Sequence, residues 1–153
     1  MKTVHVVCKH DKKDALEIAG EIIRCFGDGN RIVLEEEAAS RMGYADKFER
    51  EHVGEGADVI VVLGGDGTLL SVSRHGKGTD VPVVGVNLGG LGFLTEISDE
   101  EFATTLDKVL KDDFTISKRS MLDVRVVRDG DPIFEITILN DAVITKDALA
   151  RII

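Results

Sequence analysis

Residues 57–70 of the chain read ADVIVVLGGDGTLL. The unbroken run of Val, Ile and Leu at 59–63 is typical of a strand that is buried on both faces of a parallel sheet. Three glycines and one aspartate follow this run directly, and residues 67–75 then have helical spacing. The stretch therefore predicts a strand, a tight glycine-rich turn and a helix, which is the repeating unit of α/β sheets.

The elements on both sides of this stretch alternate in the same way. Apolar, β-branched runs predict strands, and stripes with helical spacing predict helices, the last of them opened by a Ser98–Glu101 capping box. The predicted strands are 3–9, 31–36, 57–63 and 81–87, and the predicted helices are 11–26, 67–75 and 98–111. Residues 38–55 are polar and mixed, either a loose helix or a loop. This order implies a doubly wound parallel sheet over residues 1–113.

The hydrophobic period changes after residue 113. Residues 121–127 and 133–139 alternate between apolar and polar side chains, and Asp129-Gly130-Asp131-Pro132 lies between them as a turn. This pattern predicts a β-hairpin, with a further strand around 142–145. We place a domain boundary near 114–118, so that 114–153 form a second unit. Because so small a β unit exposes apolar surface, we expect either a continuing natural chain or a partner to cover it, and we favour continuation.

Composition narrows the class of protein. The chain has 153 residues and a formal net charge of −9, and its longest apolar run is far too short to cross a bilayer. This acidity argues against a nucleic-acid binder, and the absence of an apolar opening segment argues against a secretory signal. Cys8 and Cys25 lack metal-ligand spacing and fit buried thiols in a reducing cytosol. The four histidines predict no metal site, and we expect a cytoplasmic protein without a membrane partner.

The glycines are concentrated in one part of the chain. Nine of the 16 lie between Gly64 and Gly92, which suggests a ligand site at loop ends. Gly64, Gly65 and Gly67 can present backbone N–H groups to an anion at the start of a helix. The loop is not a Walker A motif, since no Gly-Lys-Ser/Thr follows, and Leu70 replaces the third glycine of a Rossmann fingerprint.

Asp66 is the informative residue of this loop. A carboxylate within a phosphate-binding loop repels phosphate, so its presence fits a group that takes a proton from an attacking hydroxyl or helps to hold a metal. The alternative is that Asp66 caps the following helix. From the spacing alone both interpretations stay open, and they are compatible.

A second glycine-rich turn, residues 87–95, follows the next predicted strand and should face the first across a crevice. Phe93 could stack on a flat ring, although packing is the more frequent role of such a residue. Asn140 and Asp141 end another apolar strand, and taken alone that pair is most often a turn.

In their order along the chain, these motifs resemble those of the NAD kinases. The resemblance is carried by Gly64-Gly65-Asp66-Gly67-Thr68, by NLGGLGFL at 87–94 and by Asn140-Asp141. The first motif also occurs in diacylglycerol and sphingosine kinases, whereas the Leu-Gly-Phe-Leu turn and the later Asn-Asp pair are more specific. The similarity extends over essentially the whole chain, including 142–146 and 148–151.

The resemblance implies a Rossmann-like, doubly wound domain followed by the beginning of an all-β sandwich domain. It also implies transfer of the γ-phosphoryl group of ATP, or of polyphosphate, to the 2′-hydroxyl of the adenosine ribose of NAD, with a divalent cation such as Mg²⁺. In this family-based assignment Asp66 is the general base. The implied substrate and nucleotide contacts are the Gly64-Gly65 backbone toward the ATP phosphates, Gly67, Thr68, Phe93, Leu94, Asn140, Asp141 and Arg151.

Two departures from the family pattern qualify this assignment. The sequence stops early in the sandwich domain, so we expect a fragment with little or no activity, and we expect a dimer or tetramer for the full-length protein. Ser71 stands where some members carry an arginine near the nucleotide. Two other functions remain possible. One is a lipid kinase, although the net charge of −9 argues against binding to anionic lipid headgroups. The other is a nucleotide-binding module without catalysis, in which Asp66 only caps its helix.

Overall fold

Six parallel strands form one sheet in the computed structural model, which describes residues 1–75, 80–89 and 92–144. The strands are β1 (Thr3–Cys8), β2 (Arg31–Glu35), β3 (Lys47–Phe48), β4 (Val59–Gly64), β5 (Val83–Asn87) and β6 (Ile97–Ser98). Their spatial order is β3-β2-β1-β4-β5-β6. The chain winds outward in one direction from β1 and in the other from β4, so the predicted doubly wound sheet is confirmed.

The sheet is covered on both faces, which explains the unbroken apolar run at 59–63. Val59, Val61 and Leu63 belong to one buried cluster, and Ile60 and Val62 belong to another. The helices α1 (Lys13–Phe26), α2 (Glu36–Met42) and α4 (Phe102–Leu110) contribute to the first cluster, and α3 (Asp66–His75) contributes to the second. Successive side chains of a strand point to opposite faces of the sheet, so a strand that packs on both faces is apolar at every position.

The order of the strands reverses between β1 and β4. These two strands pair from Val4 with Val59 to Cys8 with Leu63, and the chain leaves their carboxyl ends at Lys9 and Gly65. In open α/β sheets ligands bind in the crevice at such a switch point. The glycine-rich loop at 64–67 therefore lies where the topology favours a ligand site.

Several local predictions are corrected. The two-residue strands β3 and β6 were not predicted, and α4 begins at Phe102 rather than at Ser98. Ser98 pairs with Asn87 in the sheet, so its hydrogen bond to the Glu101 carboxylate (2.7 Å) forms ahead of the helix. Cys8 is buried as expected, whereas Cys25 is exposed on α1.

The chain divides into two units, Met1–Lys118 and Arg119–Ile153. In the second unit β7 (Leu122–Arg128) and β8 (Asp131–Ile138) form the predicted antiparallel hairpin. Asp129 and Gly130 connect them with φ angles of 54° and 94°, as a two-residue hairpin turn requires. Residues 142–144 form no strand, and Thr145 lies outside the described residues. The domain limits 1–113 and 114–153, and the sandwich, stay predictions.

The hairpin has two chemically distinct faces. From Leu122 to Val126 the cross-strand pairs alternate between apolar and polar, so one face of this part is apolar and the other is polar. The apolar face carries Leu122, Val124, Val126, Phe134, Ile136 and Ile138, and the polar face carries Asp123, Arg125, Glu135 and Thr137. In the described ranges of both units, no helix has the length and apolarity needed to cross a bilayer.

Candidate functional site

The first glycine-rich loop joins β4 to α3 by a tight turn. The Gly65 carbonyl accepts hydrogen bonds from the N–H groups of Thr68 (2.9 Å) and Leu69 (3.2 Å), which closes the first turn of the helix. Gly64 is buried, and a Cβ atom there would lie 2.4 Å from Thr68 Oγ1. The packing of the loop itself therefore requires glycine at 64.

Gly65 and Gly67 differ from Gly64 in this respect. Apart from its chain neighbours and its own helix, a Cβ atom at either position would meet no heavy atom of the described residues within 4 Å, and neither residue has a φ in the left-handed region. The described residues therefore give no steric reason for glycine at these positions. Open space beside the N-terminus of a helix fits the close approach of an anionic ligand to the backbone.

The Asp66 carboxylate binds the second glycine-rich loop. Its Oδ2 accepts a hydrogen bond from the Phe93 N–H (2.8 Å). Its Oδ1 accepts three more, from the Leu94 N–H (3.0 Å), the Thr95 N–H (3.0 Å) and the Thr95 hydroxyl (3.1 Å). Within the described part of the chain the side chain makes no bond to its own helix, so the helix-cap interpretation of Asp66 is wrong.

These contacts also determine the charge of Asp66. The hydrogen bond from the Phe93 N–H, joined by those from Leu94 and Thr95, lowers the pKa of the Asp66 carboxyl below its ordinary value, although partial burial opposes the shift. Asp66 is therefore ionised at neutral pH. An ionised carboxylate in a crevice next to open backbone N–H groups can accept a proton or attract a cation.

The second loop is held at both ends by Asn87, the last residue of β5. Its Oδ1 accepts a hydrogen bond from the Gly89 N–H (2.9 Å), and its Nδ2 donates to the Thr95 carbonyl (3.4 Å). Lys12, which precedes α1, donates to the carbonyl of Leu88. Gly90 and Leu91 lie outside the described residues.

Phe93 is exposed rather than packed. The residue is 92% exposed, so the expectation that it packs against the protein is wrong. Leu94, the next residue, is partly buried. An exposed aromatic ring beside the Asp66 carboxylate provides a flat apolar surface on which a ring of a ligand can stack.

A cavity of about 260 Å³ lies at the switch point. It is lined by Cys8, Lys9, His10, Arg50, Gly65, Gly67, Thr68 and Ser71. Lys9 is exposed at the carboxyl end of β1 and forms no ion pair with the rest of the described chain. Lys9 could not be singled out from the sequence, because a charged residue after a strand is common. Its position beside Gly65 at the cavity wall is what marks it.

Arg50 was also missed from the sequence. Its guanidinium forms a two-pronged ion pair with Glu35, with Nη2 to Oε2 at 2.6 Å, and its Nη1 lies 3.4 Å from Ser71 Oγ. Glu35 opens an acidic run at 35–37 and is nevertheless only 5% exposed. The ion pair places an arginine side chain next to Ser71 at the cavity wall.

Other groups near the loops offer less chemistry. Burial raises the pKa of the Cys8 thiol to about 12, so it is not a nucleophile at neutral pH. A larger cavity of about 340 Å³ is lined by Arg50 and five glutamates and would repel phosphate. Among residues 1–75, 80–89 and 92–144, no group of three or more His, Cys, Asp or Glu side chains is placed to hold a metal ion.

The remaining predicted residues lie in the second part of the chain. Asn140 and Asp141 follow β8 in the second unit and are exposed. Arg151 lies outside the described residues. Of the predicted site, the structure thus brings together Asp66, Gly65, Gly67 and Thr68 with Phe93 and Leu94 of the second loop.

The chain is similar to known proteins over its whole length. Residues 4–114 match the family model described as the ATP-NAD kinase N-terminal domain. Proteins named NAD kinase from Syntrophotalea carbinolica, Trichlorobacter lovleyi and Geobacter sulfurreducens are 44%, 42% and 41% identical to the chain over its whole length. The chain spans 54% of the length of each of these relatives.

A solved structure supports the fold. The crystal structure of yeast NADH kinase complexed with NADH superposes with a TM-score of 0.73 at 18% identity, over 90% of this chain and 46% of the yeast chain. A likeness at this identity establishes the architecture alone. The family match covers most of the sheet unit and both glycine-rich loops, and on that evidence the chain belongs to the NAD kinase family.

Proposed function

We propose that this chain is the N-terminal half of an NAD kinase, which transfers the γ-phosphoryl group of ATP, or of polyphosphate, to the 2′-hydroxyl of the adenosine ribose of NAD. The observation that carries the proposal is the ionised Asp66 carboxylate, held by the second loop beside an open, glycine-lined helix N-terminus. Phosphoryl transfer asks mainly for positioning, charge neutralisation and a base for the attacking hydroxyl, and these loops offer all three.

Asp66 acts as the base in this proposal. The 2′-hydroxyl gives its proton to the carboxylate while its oxygen attacks the γ-phosphorus, and the bond to ADP breaks. The support for this role is that Asp66 is ionised at neutral pH and that backbone N–H groups of the second loop hold its carboxylate in place. A general base of this kind contributes on the order of 10²–10⁴ in rate.

The donor phosphates lie against the backbone of Gly65 and Gly67 and the hydroxyl of Thr68. The open space at the two glycines and the positive end of α3 support this placement. Gly64, also predicted to contact phosphate, is buried and its carbonyl accepts a hydrogen bond from the Leu88 N–H (3.1 Å). We therefore assign Gly64 to the shape of the loop, and we add Lys9 as a cation that lines the same cavity as Gly65.

The acceptor side rests on the family resemblance and on exposure. Phe93 presents a free ring for stacking on the dinucleotide, and Leu94 lies beside it. Asn140 and Asp141 are exposed and available to hydrogen-bond the substrate. Arg151 is assigned to the nucleotide on the resemblance alone.

A divalent cation completes the proposed chemistry. Mg²⁺ usually keeps several waters and is bound by one or two carboxylates together with substrate phosphates. Since the described residues contain no group of three or more His, Cys, Asp or Glu side chains placed for a metal ion, the donor phosphates and waters would supply its ligands. When bound with the donor, the cation neutralises phosphate charge.

The activity is proposed for the longer protein rather than for these 153 residues. The chain spans about half of its relatives, so we expect residues 1–153 alone to have little or no activity. The cytoplasmic location and a dimeric or tetrameric assembly of the longer protein stay predictions.

The test uses the protein read from Met1 past Ile153 to the end of its reading frame. ATP labelled in the γ-phosphoryl group is offered with Mg²⁺ to NAD and to diacylglycerol in parallel, for the wild type, Asp66→Asn and Asp113→Asn. Asp113 is exposed and outside both loops, so its variant controls for the loss of one negative charge. We expect label in NADP, lost in Asp66→Asn and kept in Asp113→Asn.

Other outcomes would replace the proposal. Label in the lipid would establish a lipid kinase, since diacylglycerol and sphingosine kinases share the short Gly-Gly-Asp-Gly-Thr motif. Nucleotide binding without transfer to either acceptor, and insensitive to Asp66→Asn, would establish a binding module.

A further inference from the structure

We propose that Thr95 is a positioning residue for Asp66, and that the Asp66 Oδ2 atom is the one that receives the proton from the substrate hydroxyl. This inference rests on the proposed function for the identity of the proton donor. It rests on the structure for the geometry of the carboxylate.

Thr95 is fixed at every polar atom. It is 0% exposed; its N–H and its hydroxyl both donate to Asp66 Oδ1, and its carbonyl accepts from Asn87 Nδ2. Since Asn87 is the last residue of β5, Thr95 couples the carboxylate to the rigid sheet. The side chain of Asp66 is thereby oriented by a residue that has no exposed surface for substrate.

Two glycines make room for this arrangement. A Cβ at Gly92 would lie 2.3 Å from Asp66 Oδ1 and 2.7 Å from Thr95 Oγ1. A Cβ at Gly85, on β5, would lie 3.0 Å from the methyl carbon of Thr95. The threonine side chain therefore lies close to both glycines, and its hydroxyl donates to Asp66 Oδ1.

The two carboxylate oxygens have unequal surroundings. From the described residues, Oδ1 accepts three hydrogen bonds, whereas Oδ2 accepts one, from the Phe93 N–H. A carboxylate has about two acceptor sites on each oxygen, so these residues saturate Oδ1 and leave one site on Oδ2. When the 2′-O–H bond breaks, its proton passes to Oδ2 and the ribose 2′-oxygen bonds to the γ-phosphorus. The electron pair of the broken P–O bond leaves with ADP.

The test compares Thr95→Val, which removes the hydroxyl at nearly constant shape, with Thr95→Ser, which keeps it. We expect Thr95→Val, made in the protein that runs from Met1 to the end of its reading frame, to lower kcat about tenfold. Its KM for NAD should stay within about threefold of the wild-type value. The acid limb of its pH–rate profile should move to higher pH, because the carboxylate loses a donor to its charged form. Thr95→Ser should stay within about threefold of the wild type in kcat.

Two further measurements separate positioning from folding. In an Asp66→Asn background, Thr95→Val should add no loss of rate, because Thr95 acts through Asp66. The ¹³C-carboxyl NMR titration of Asp66 should show a higher pKa in Thr95→Val than in Thr95→Ser. If the valine variant does not fold, Thr95→Ala is compared with Thr95→Ser in the same two measurements.

The inference is overturned if the valine and serine variants share one carboxyl titration and one kcat, or if Thr95→Val slows the Asp66→Asn protein as much as it slows the wild type. Failure of the wild type to make NADP overturns the proposed function instead. In that case the carboxyl titration still decides whether Thr95 holds Asp66.

Discussion

Gly92→Ala is the substitution that acts most directly on the contact between the two loops. A Cβ atom at this position would lie 2.3 Å from Asp66 Oδ1 and 2.9 Å from Asp66 Cγ. Non-bonded carbon and oxygen atoms settle at roughly 3.3 Å, so the carboxylate must retreat by about 1 Å. A displacement of this size at a reacting group costs on the order of 100-fold in rate.

The assay is steady-state NADP formation by the protein that runs from Met1 to the end of its reading frame. A thermal melt of each variant checks that it is folded. Gly89→Ala is the matched control in the same loop, because its Cβ would make only ordinary contacts, the nearest at 3.6 Å to Lys12 Nζ. We expect kcat of Gly92→Ala to fall about 100-fold and that of Gly89→Ala to stay within about threefold. Equal kcat values in the two variants would refute the argument that the position of Asp66 controls the rate.

Three further predictions concern stability and binding. Gly67→Ala should raise the free energy of unfolding by up to about 1 kcal/mol in denaturant unfolding, because alanine favours a helix. It should also raise KM for ATP, because the methyl group blocks the approach of phosphate to the backbone. An unchanged KM for ATP would contradict the donor site. Burial, and then the charge of Arg31, lower the pKa of His5, so the folded chain binds fewer protons than the unfolded chain. The free energy of unfolding should therefore fall as the pH drops below about 6.5, and this slope should flatten in His5→Gln. Arg50→Met leaves Glu35 buried without its partner and should cost about 3–5 kcal/mol, measured by urea unfolding; a loss under 1 kcal/mol contradicts the buried ion pair.

The sheet could be predicted from the sequence because its central strands carry their own pattern. Residues 59–63 are apolar without a break, and packing on both faces leaves no other arrangement for such a strand. The edge strands β3 and β6 have two residues each, too few to show any period. The start of α4 was misplaced for the same reason, since only the pairing with Asn87 shows that Ser98 belongs to the sheet.

The site was predicted in its parts but not in its contacts. The two glycine-rich loops were expected to face each other, because both follow strands of one parallel sheet. The hydrogen bonds from residues 93–95 to the Asp66 carboxylate join positions that are 27 to 29 residues apart. No local sequence pattern encodes contacts at that distance. The pair of Arg50 with Glu35, and the placement of Lys9, likewise depend on the packed structure.

In the proposed function, Asp66 takes the proton during phosphoryl transfer to the dinucleotide. The deciding measurement is kcat for NADP formation at saturating NAD and ATP, compared between Asp66→Asn and Asp113→Asn, with ³¹P NMR of the product. We expect a phosphomonoester on the 2′-oxygen, a loss of about 10²–10⁴ in kcat for Asp66→Asn and a KM for NAD within a few-fold. A kcat for Asp66→Asn equal to that of Asp113→Asn would contradict the account.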